Sequence, residues 1–303
     1  MTNNNIEIIG ITTVGTYPSW IDRTVASMYN KVDKIIVVNA GYDIYNSDNP
    51  YYRLEKEHKL LQELDIQNKI LEYTPHGKEL FIDNFEEEKD ELGRASNMTL
   101  STILANESFT SSKQHWILKL DSDQIFYQFE RQSLEELIKK YPKKTGFRFA
   151  QFADYYRDFE HISEGLPDMF TNDGSLFYKS KHNQKYGGQG SPVSITEQFE
   201  IISIQTSHMR RISPPDVNEY EYFLKRFWYH IFGPNSIMEH EYNRKTGKKL
   251  DNKTILKMAH DETVSILKSK GRKITELDYD ERIPYKPPLV CQMTPLEYIK
   301  KGY

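Results

Sequence analysis

The chain has 303 residues, with 40 Lys and Arg against 44 Asp and Glu, one cysteine, 21 tyrosines and a hydrophobic fraction of 38%. A formal charge of -4 and a pI near 6.2 supply no broad positive field for a polyphosphate backbone, which argues against a dedicated nucleic-acid binder. Cys291 alone forms neither an internal disulfide nor a Cys-rich zinc site. The run Ile35-Ile36-Val37-Val38, the longest aliphatic stretch of the first half, falls far short of the roughly 20 apolar residues of a membrane span. With a start, Met-Thr-Asn-Asn-Asn, that lacks a basic segment and an apolar h-region, the expected location is the cytosol, and peripheral contact with a membrane surface stays open.

Along the first half, apolar β-branched runs alternate with helical spacing. Glu7 to Thr13 (EIIGITT), Lys34 to Asn39 (KIIVVN), Lys69 to Tyr73 (KILEY) and Trp116 to Leu120 (WILKL) read as buried strands. Between them Pro18 to Tyr29, Arg53 to Leu64 and Asp90 to Ala105 place apolar residues at helical intervals. Strand and helix in strict alternation predict an α/β chain, with a Rossmann-like, doubly wound, mostly parallel sheet joined by right-handed crossovers.

The second half is less regular. Gly146 to Phe152, Ser175 to Lys179 and Phe199 to Thr206 read as strands, with a glycine-containing loop over Gly187 to Pro192. Helical stretches follow over Glu219 to Phe232 and Lys253 to Lys268, and Pro284 to Leu296, with four prolines, reads as an extended tail over the surface. The expected division is a domain over 1–215 that holds the site and a helical C-terminal region over 216–303.

In open α/β sheets ligands gather at the carboxyl ends of the strands. Here those ends are Thr12-Thr13, Asn39-Ala40-Gly41, Thr74-Pro75 and Asp121-Ser122-Asp123. The last carries the most chemistry, because two carboxylates flanking a small residue directly after an apolar strand can turn oxygen ligands toward a divalent cation or a ribose. The bland alternative is a polar loop capping the next helix. A phosphate-gripping glycine loop is missing after the first strand, since Gly10-Ile11-Thr12-Thr13-Val14-Gly15 fits neither G-x-G-x-x-G nor G-x-x-x-x-G-K-[ST]. A bound diphosphate would then need another counter-charge, and a metal held by acidic residues supplies one.

The order ITTVGTYPSWIDRTVASMYNKVDKIIVVNAG, LGRASNMTLSTILA, WILKLDSDQ resembles the nucleotide-sugar domain of GT-A glycosyltransferases, in particular the broad family 2 group, over roughly residues 6 to 130. The matching pieces are Val37-Val38-Asn39-Ala40-Gly41, Arg94-Ala95-Ser96-Asn97 and Asp121-Ser122-Asp123. The resemblance implies that Thr12, Thr13 and Asn39 line the nucleobase and ribose pocket, and that Arg94 contacts the nucleotide. It further implies that Asp121 binds the ribose or the metal and Asp123 an Mn2+ or Mg2+ ion bridging the diphosphate. His208, closing FEIISIQTSH, looks like the further metal ligand that several GT-A enzymes place at such a strand end; a core or loop histidine is the alternative. Asn39 stands where the family often has an acidic residue, so the preferred base is open.

The resemblance therefore implies a hexosyltransferase that moves a sugar from a UDP- or GDP-sugar to a hydroxyl-bearing acceptor, whether glycan, lipid or small molecule. An inverting reaction needs a carboxylate base beside the acceptor hydroxyl. Asp154, Asp168, Asp173 and Glu197 lie in the relevant part of the chain, and Asp173, at a turn before a strand, is the candidate with usable geometry, set against an ordinary Asp-Gly turn. The alternatives are a nucleotidyltransferase that makes the activated sugar, whose glycine-rich basic loop Gly15-Thr16-Tyr17-Pro18 does not supply, and a carbohydrate-binding protein without turnover.

Overall fold

The computed structural model describes residues 6–14, 19–39, 55–73, 101, 104–110, 114–142, 146–153, 169–171, 198–209, 213–218, 220, 222, 224, 244–248, 254, 257–258, 260–261, 265 and 287–303. Strands β1 (Ile6–Val14), β2 (Lys34–Asn39), β3 (Ile70–Tyr73) and β4 (Gln114–Lys119) follow the predicted order, separated by helices α1 (Ile21–Tyr29) and α2 (Glu55–Leu64). The turn after β4 leads into β5 (Gln124–Phe126) and helix α3 (Arg131–Lys140), then β6 (Gly146–Ala153), β7 (Met169–Thr171) and β8 (Gln198–His208). Residues 289–291 form a 3-10 turn, and α4 (Pro295–Lys300) ends the chain.

The eight strands among the described residues join one sheet in the order β3-β2-β1-β4-β7-β6-β8-β5. The first four are parallel, β7 runs antiparallel to both β4 and β6, β6 and β8 are parallel, and β5 runs antiparallel to β8. The two parallel blocks meet at the reversed strand β7, and β5 reverses again at the far edge, a mixed α/β sheet consistent with a Rossmann-like GT-A arrangement. The β6–β8 register shifts between Phe149 and Ala150.

Alternation along the buried strands explains why helices cover both faces. Ile6 and Ile8 of β1, Ile35 and Val37 of β2, and Trp116 and Leu118 of β4 share a core with α1, α2, α3 and α4, to which Val25, Met28, Leu61, Leu134 and Ile299 contribute. The intervening residues Ile9, Ile11, Ile36, Val38 and Ile117 pack on the opposite face against Leu104 and Ala105, which belong to the helix expected over Asp90 to Ala105. Only residues 101 and 104–108 of that helix are described, and they are helical. The sheet is thus doubly wound.

Gly10 faces α1, and a Cβ there would lie 2.8 Å from the Met28 Sδ, so the helix sits close against β1 because this position has no side chain.

Within the sheet and the helices between its strands, α3, β5 and β7 were not read from the sequence. Helix α3 buries Leu134, Leu137 and Ile138 at helical spacing, links Arg131 to Glu135 across one turn, and ends on Lys139 and Lys140, which suit its negative terminus. Strands β5 and β7 span three residues each, too few for a periodic signal.

The end of the chain departs from the expected extended tail. Thr294 and Glu297 form a reciprocal capping box with Pro295 in the first turn, so these residues start a helix. Tyr298 and Ile299 are buried, Val290 joins the main core, and Asn30 donates to the carbonyls of Ile299 and Tyr303 at 2.9 and 3.0 Å. The prolines Pro288 and Pro295 punctuate a docked turn and helix. Helical residues at 220, 222, 224, 244–246, 254, 257–258, 260–261 and 265 give the C-terminal part its helical character. The strand expected over Ser175 to Lys179 and the loop over Gly187 to Pro192 lie outside the described residues.

Candidate active site at the carboxyl edge of the sheet

Pairing places the predicted strand ends side by side. Thr12 lies opposite Val37, Thr13 opposite Val38, and Val14 opposite Asn39, while Leu120, just after β4, donates its N–H to the Ile11 carbonyl at 3.1 Å. Thr12, Thr13, Asn39 and Asp121 therefore share the carboxyl edge of three adjacent parallel strands. Thr12 and Thr13 face opposite sides of the sheet by strand alternation. Thr12 is fully buried, and its hydroxyl has no hydrogen-bond partner among the described residues; Thr13 is partly exposed. Asn39 is buried at the end of β2.

The Asp121-Ser122-Asp123 segment is a closed turn. Gln124 donates its backbone N–H to the Asp121 carbonyl at 2.9 Å, and its side-chain oxygen accepts from the Asp121 N–H at 2.8 Å. The next element is strand β5, so the alternative of a loop capping a following helix does not hold. Two further bonds anchor the turn: Thr24 of α1 donates its hydroxyl to the Ser122 carbonyl at 3.1 Å, and Met209 donates its N–H to the Asp123 carbonyl at 2.7 Å.

Strand β8 brings His208 to this turn. In the antiparallel β5–β8 pairing Gln124 lies opposite His208, which sets the imidazole Nε2 3.1 Å from the Asp123 Oδ1. The His208 side chain is buried, whereas that of Asp123 keeps 24% of its surface exposed. An imidazole nitrogen and a carboxylate oxygen, held together at a partly open strand end, form a donor set that suits a transition-metal dication.

Asp121 is placed differently. Its Oδ1 lies 3.2 Å from the ammonium of Lys119, and both side chains are almost wholly buried. Among the described residues no three His, Cys, Asp or Glu side chains converge as a cation cage. The fold therefore unites two of the three predicted metal ligands, Asp123 and His208, and engages the third with a lysine. Lys119 escaped the sequence reading; its signal was a cation in an apolar strand two residues before Asp121, which alternation puts on the same face.

The first turn of α1 borders the site. Arg23, almost fully buried, pairs with Asp22 at 2.9 Å and reaches Asp216 at 2.8 Å, tying the segment after β8 to the helix that also holds the acidic turn. Burial pushes the Asp22 carboxyl above its ordinary value, and the Arg23 charge opposes that shift. Arg94 and Asp173 lie outside the described residues, as do Asp154, Asp168 and Glu197. Among the described residues no helix is long and apolar enough to cross a membrane.

No protein-family model and no curated protein matches the chain. Among solved structures it is similar to TarS of S. aureus, at a TM-score of 0.41 and 9% identity over 86% of this chain, where it spans about half (49%) of that chain. A structure of S. aureus TarS 1-349 in complex with UDP matches at a TM-score of 0.38 and 10% identity, over 98% of this chain and 92% of that one. The same TarS segment in a further structure gives 0.35 and 9%, over 98% and 92%.

Proposed function

We propose that this chain is a metal-dependent glycosyltransferase, a hexosyltransferase of GT-A type related to family 2, that moves a sugar from a UDP- or GDP-sugar to a hydroxyl-bearing acceptor. The observation that carries the proposal is the 3.1 Å approach of His208 to Asp123 at the carboxyl edge of the parallel block. In a sheet whose first turn has no glycine-rich phosphate loop, this pair supplies the place where a diphosphate could be counter-charged.

Asp123 and His208 would hold Mn2+ or Mg2+, which when bound offsets the charge that grows on the departing nucleoside diphosphate. Thr13, Asn39 and Arg94 would contact the nucleoside, with Thr12 behind them and Asp121 directed at the ribose. Asp173 would take the acceptor proton in an inverting reaction.

A thermal-shift panel of UDP, GDP, CDP and dTDP, each with and without Mn2+, tests the reading. A selective shift that needs the metal supports it and names the base. No shift with any nucleotide sinks it.

A further inference from the structure

Lys119 occupies an unusual place for a lysine. It stands in the central parallel strand β4, opposite Ile11, on the sheet face where Ile9, Ile11, Ile36, Val38 and Ile117 form an aliphatic core. The residue is only 7% exposed. Burying an ammonium is costly, and a buried ion pair is often no more stable than an apolar pair of the same volume, so packing alone gives little reason for a charge here. The ammonium reaches Asp121 at 3.2 Å, at the strand end where the acidic turn begins. Two hydrogen bonds to Gln124, both made by the Asp121 backbone, hold the same residue.

We propose that Lys119 is a positioning residue that holds the Asp121 carboxylate away from cation ligation, so that the acidic turn presents one ligating carboxylate, Asp123, beside His208. This rests on the cation-dependent reading of the site given above and deepens it. The lysine also reduces the net charge of the Lys119-Asp121-Asp123 group to a single negative charge. The turn then binds a dication less tightly in the absence of nucleotide, and cation affinity becomes dependent on the diphosphate that brings further oxygen ligands.

Calorimetric titration of the full chain with Mn2+ alone tests the proposal, using wild type, Asp123→Asn, Lys119→Met and the double variant Lys119→Met with Asp121→Asn. The double variant keeps the charge of the site and removes both partners of the buried pair, a change that folded proteins tolerate better than loss of one partner. It is expected to bind Mn2+ within about threefold of wild type, while Asp123→Asn weakens binding by more than about tenfold. Lys119→Met, which frees Asp121 to join the cation, is expected to tighten binding by about threefold or more. If Lys119→Met does not fold, the double variant decides alone. A double variant that loses Mn2+ as fully as Asp123→Asn makes Asp121 a ligand and overturns this proposal only. Unchanged affinity in a folded Lys119→Met also overturns it. Failure of wild type to bind Mn2+ at all overturns the cation-dependent reading and this inference with it.

Discussion

His208, the last residue of β8, meets Asp123, two residues before the middle of β5, at 3.1 Å because the antiparallel β5–β8 pairing sets His208 opposite Gln124. The contact depends on register: a slip of one residue in that pairing would turn the imidazole to the other face of the sheet. Through the Met209 N–H the same strand end also holds the Asp123 carbonyl at 2.7 Å, so backbone and side chain fix the pair together. Donors held in this way are what the proposed cation site would require, since mobile donors lose affinity to their own ordering.

If the chain is the metal-dependent transferase proposed above, replacing either member should separate catalysis from folding. Asp123→Ala is expected to lower metal-dependent hydrolysis of the sugar donor by at least about 100-fold, with a far-ultraviolet dichroism spectrum like that of wild type. His208→Ala should weaken the Mn2+ dependence of the nucleotide thermal shift. An unchanged metal response in His208→Ala would remove the histidine from the site.

Lys31 predicts a pH dependence of stability. It is almost wholly buried after α1, with its ammonium over the rings of Phe129 and Tyr298 at 5.2 and 5.4 Å, and burial pushes its pKa down from 10.5 to about 7. Between about pH 7 and the unfolded value of 10.5 the unfolded chain binds one proton more than the folded chain, so this group makes stability rise with pH. Above pH 10 the trend is opposed by Tyr29 and Tyr298, whose hydroxyls burial holds protonated beyond their ordinary value of 10.0. Urea midpoints should therefore climb from pH 7 toward pH 10 and flatten beyond. Lys31→Met should abolish the Lys31 part of that slope and raise stability at pH 7 by roughly 1–3 kcal/mol.

The packing of α1 on β1 is tested at Gly10. A Cβ would come within 2.8 Å of the flexible end of Met28 and 3.6 Å of Val32, so Gly10→Ala is expected to cost about 1 kcal/mol as Met28 shifts. Gly10→Val, which would also press its methyls toward Val32, should cost about 3 kcal/mol or more. Chemical denaturation gives both values, and in a double-mutant cycle Gly10→Ala should cost less in a Met28→Ala background than in wild type, because the Sδ it meets is then gone.

Docking of the C-terminal helix is tested at its cap. Thr294 accepts from the Glu297 N–H, and its own N–H donates to the Glu297 carboxylate at 3.1 Å. Thr294→Ala is expected to cost about 1 kcal/mol, and Thr294→Ser far less. Because Tyr298 and Ile299 of this helix share the core of β1 and α1, the loss should appear in the cooperative unfolding of the parallel block. A separate early transition, with the main midpoint unchanged, would mean that the helix is not part of that unit.

Local pattern determined much of this protein. The span Lys34 to Asn39 coincides with β2, the apolar runs around Ile8, Leu71 and Ile117 became parallel strands, and the intervals in α1 and α2 could be read directly because a buried β-α alternation writes its period into every turn of chain. The acidic strand end Asp121-Ser122-Asp123 was legible for the same reason. Other features were decided only by tertiary structure. That Asp123 faces His208, that Asp121 faces Lys119, and that Thr294 to Ile299 returns to cover α1 instead of trailing over the surface all depend on contacts between distant segments. Hydrophobic periodicity fixes which face of an element is buried, but which elements meet, and at what register, is set by the packing and hydrogen bonding of the assembled sheet.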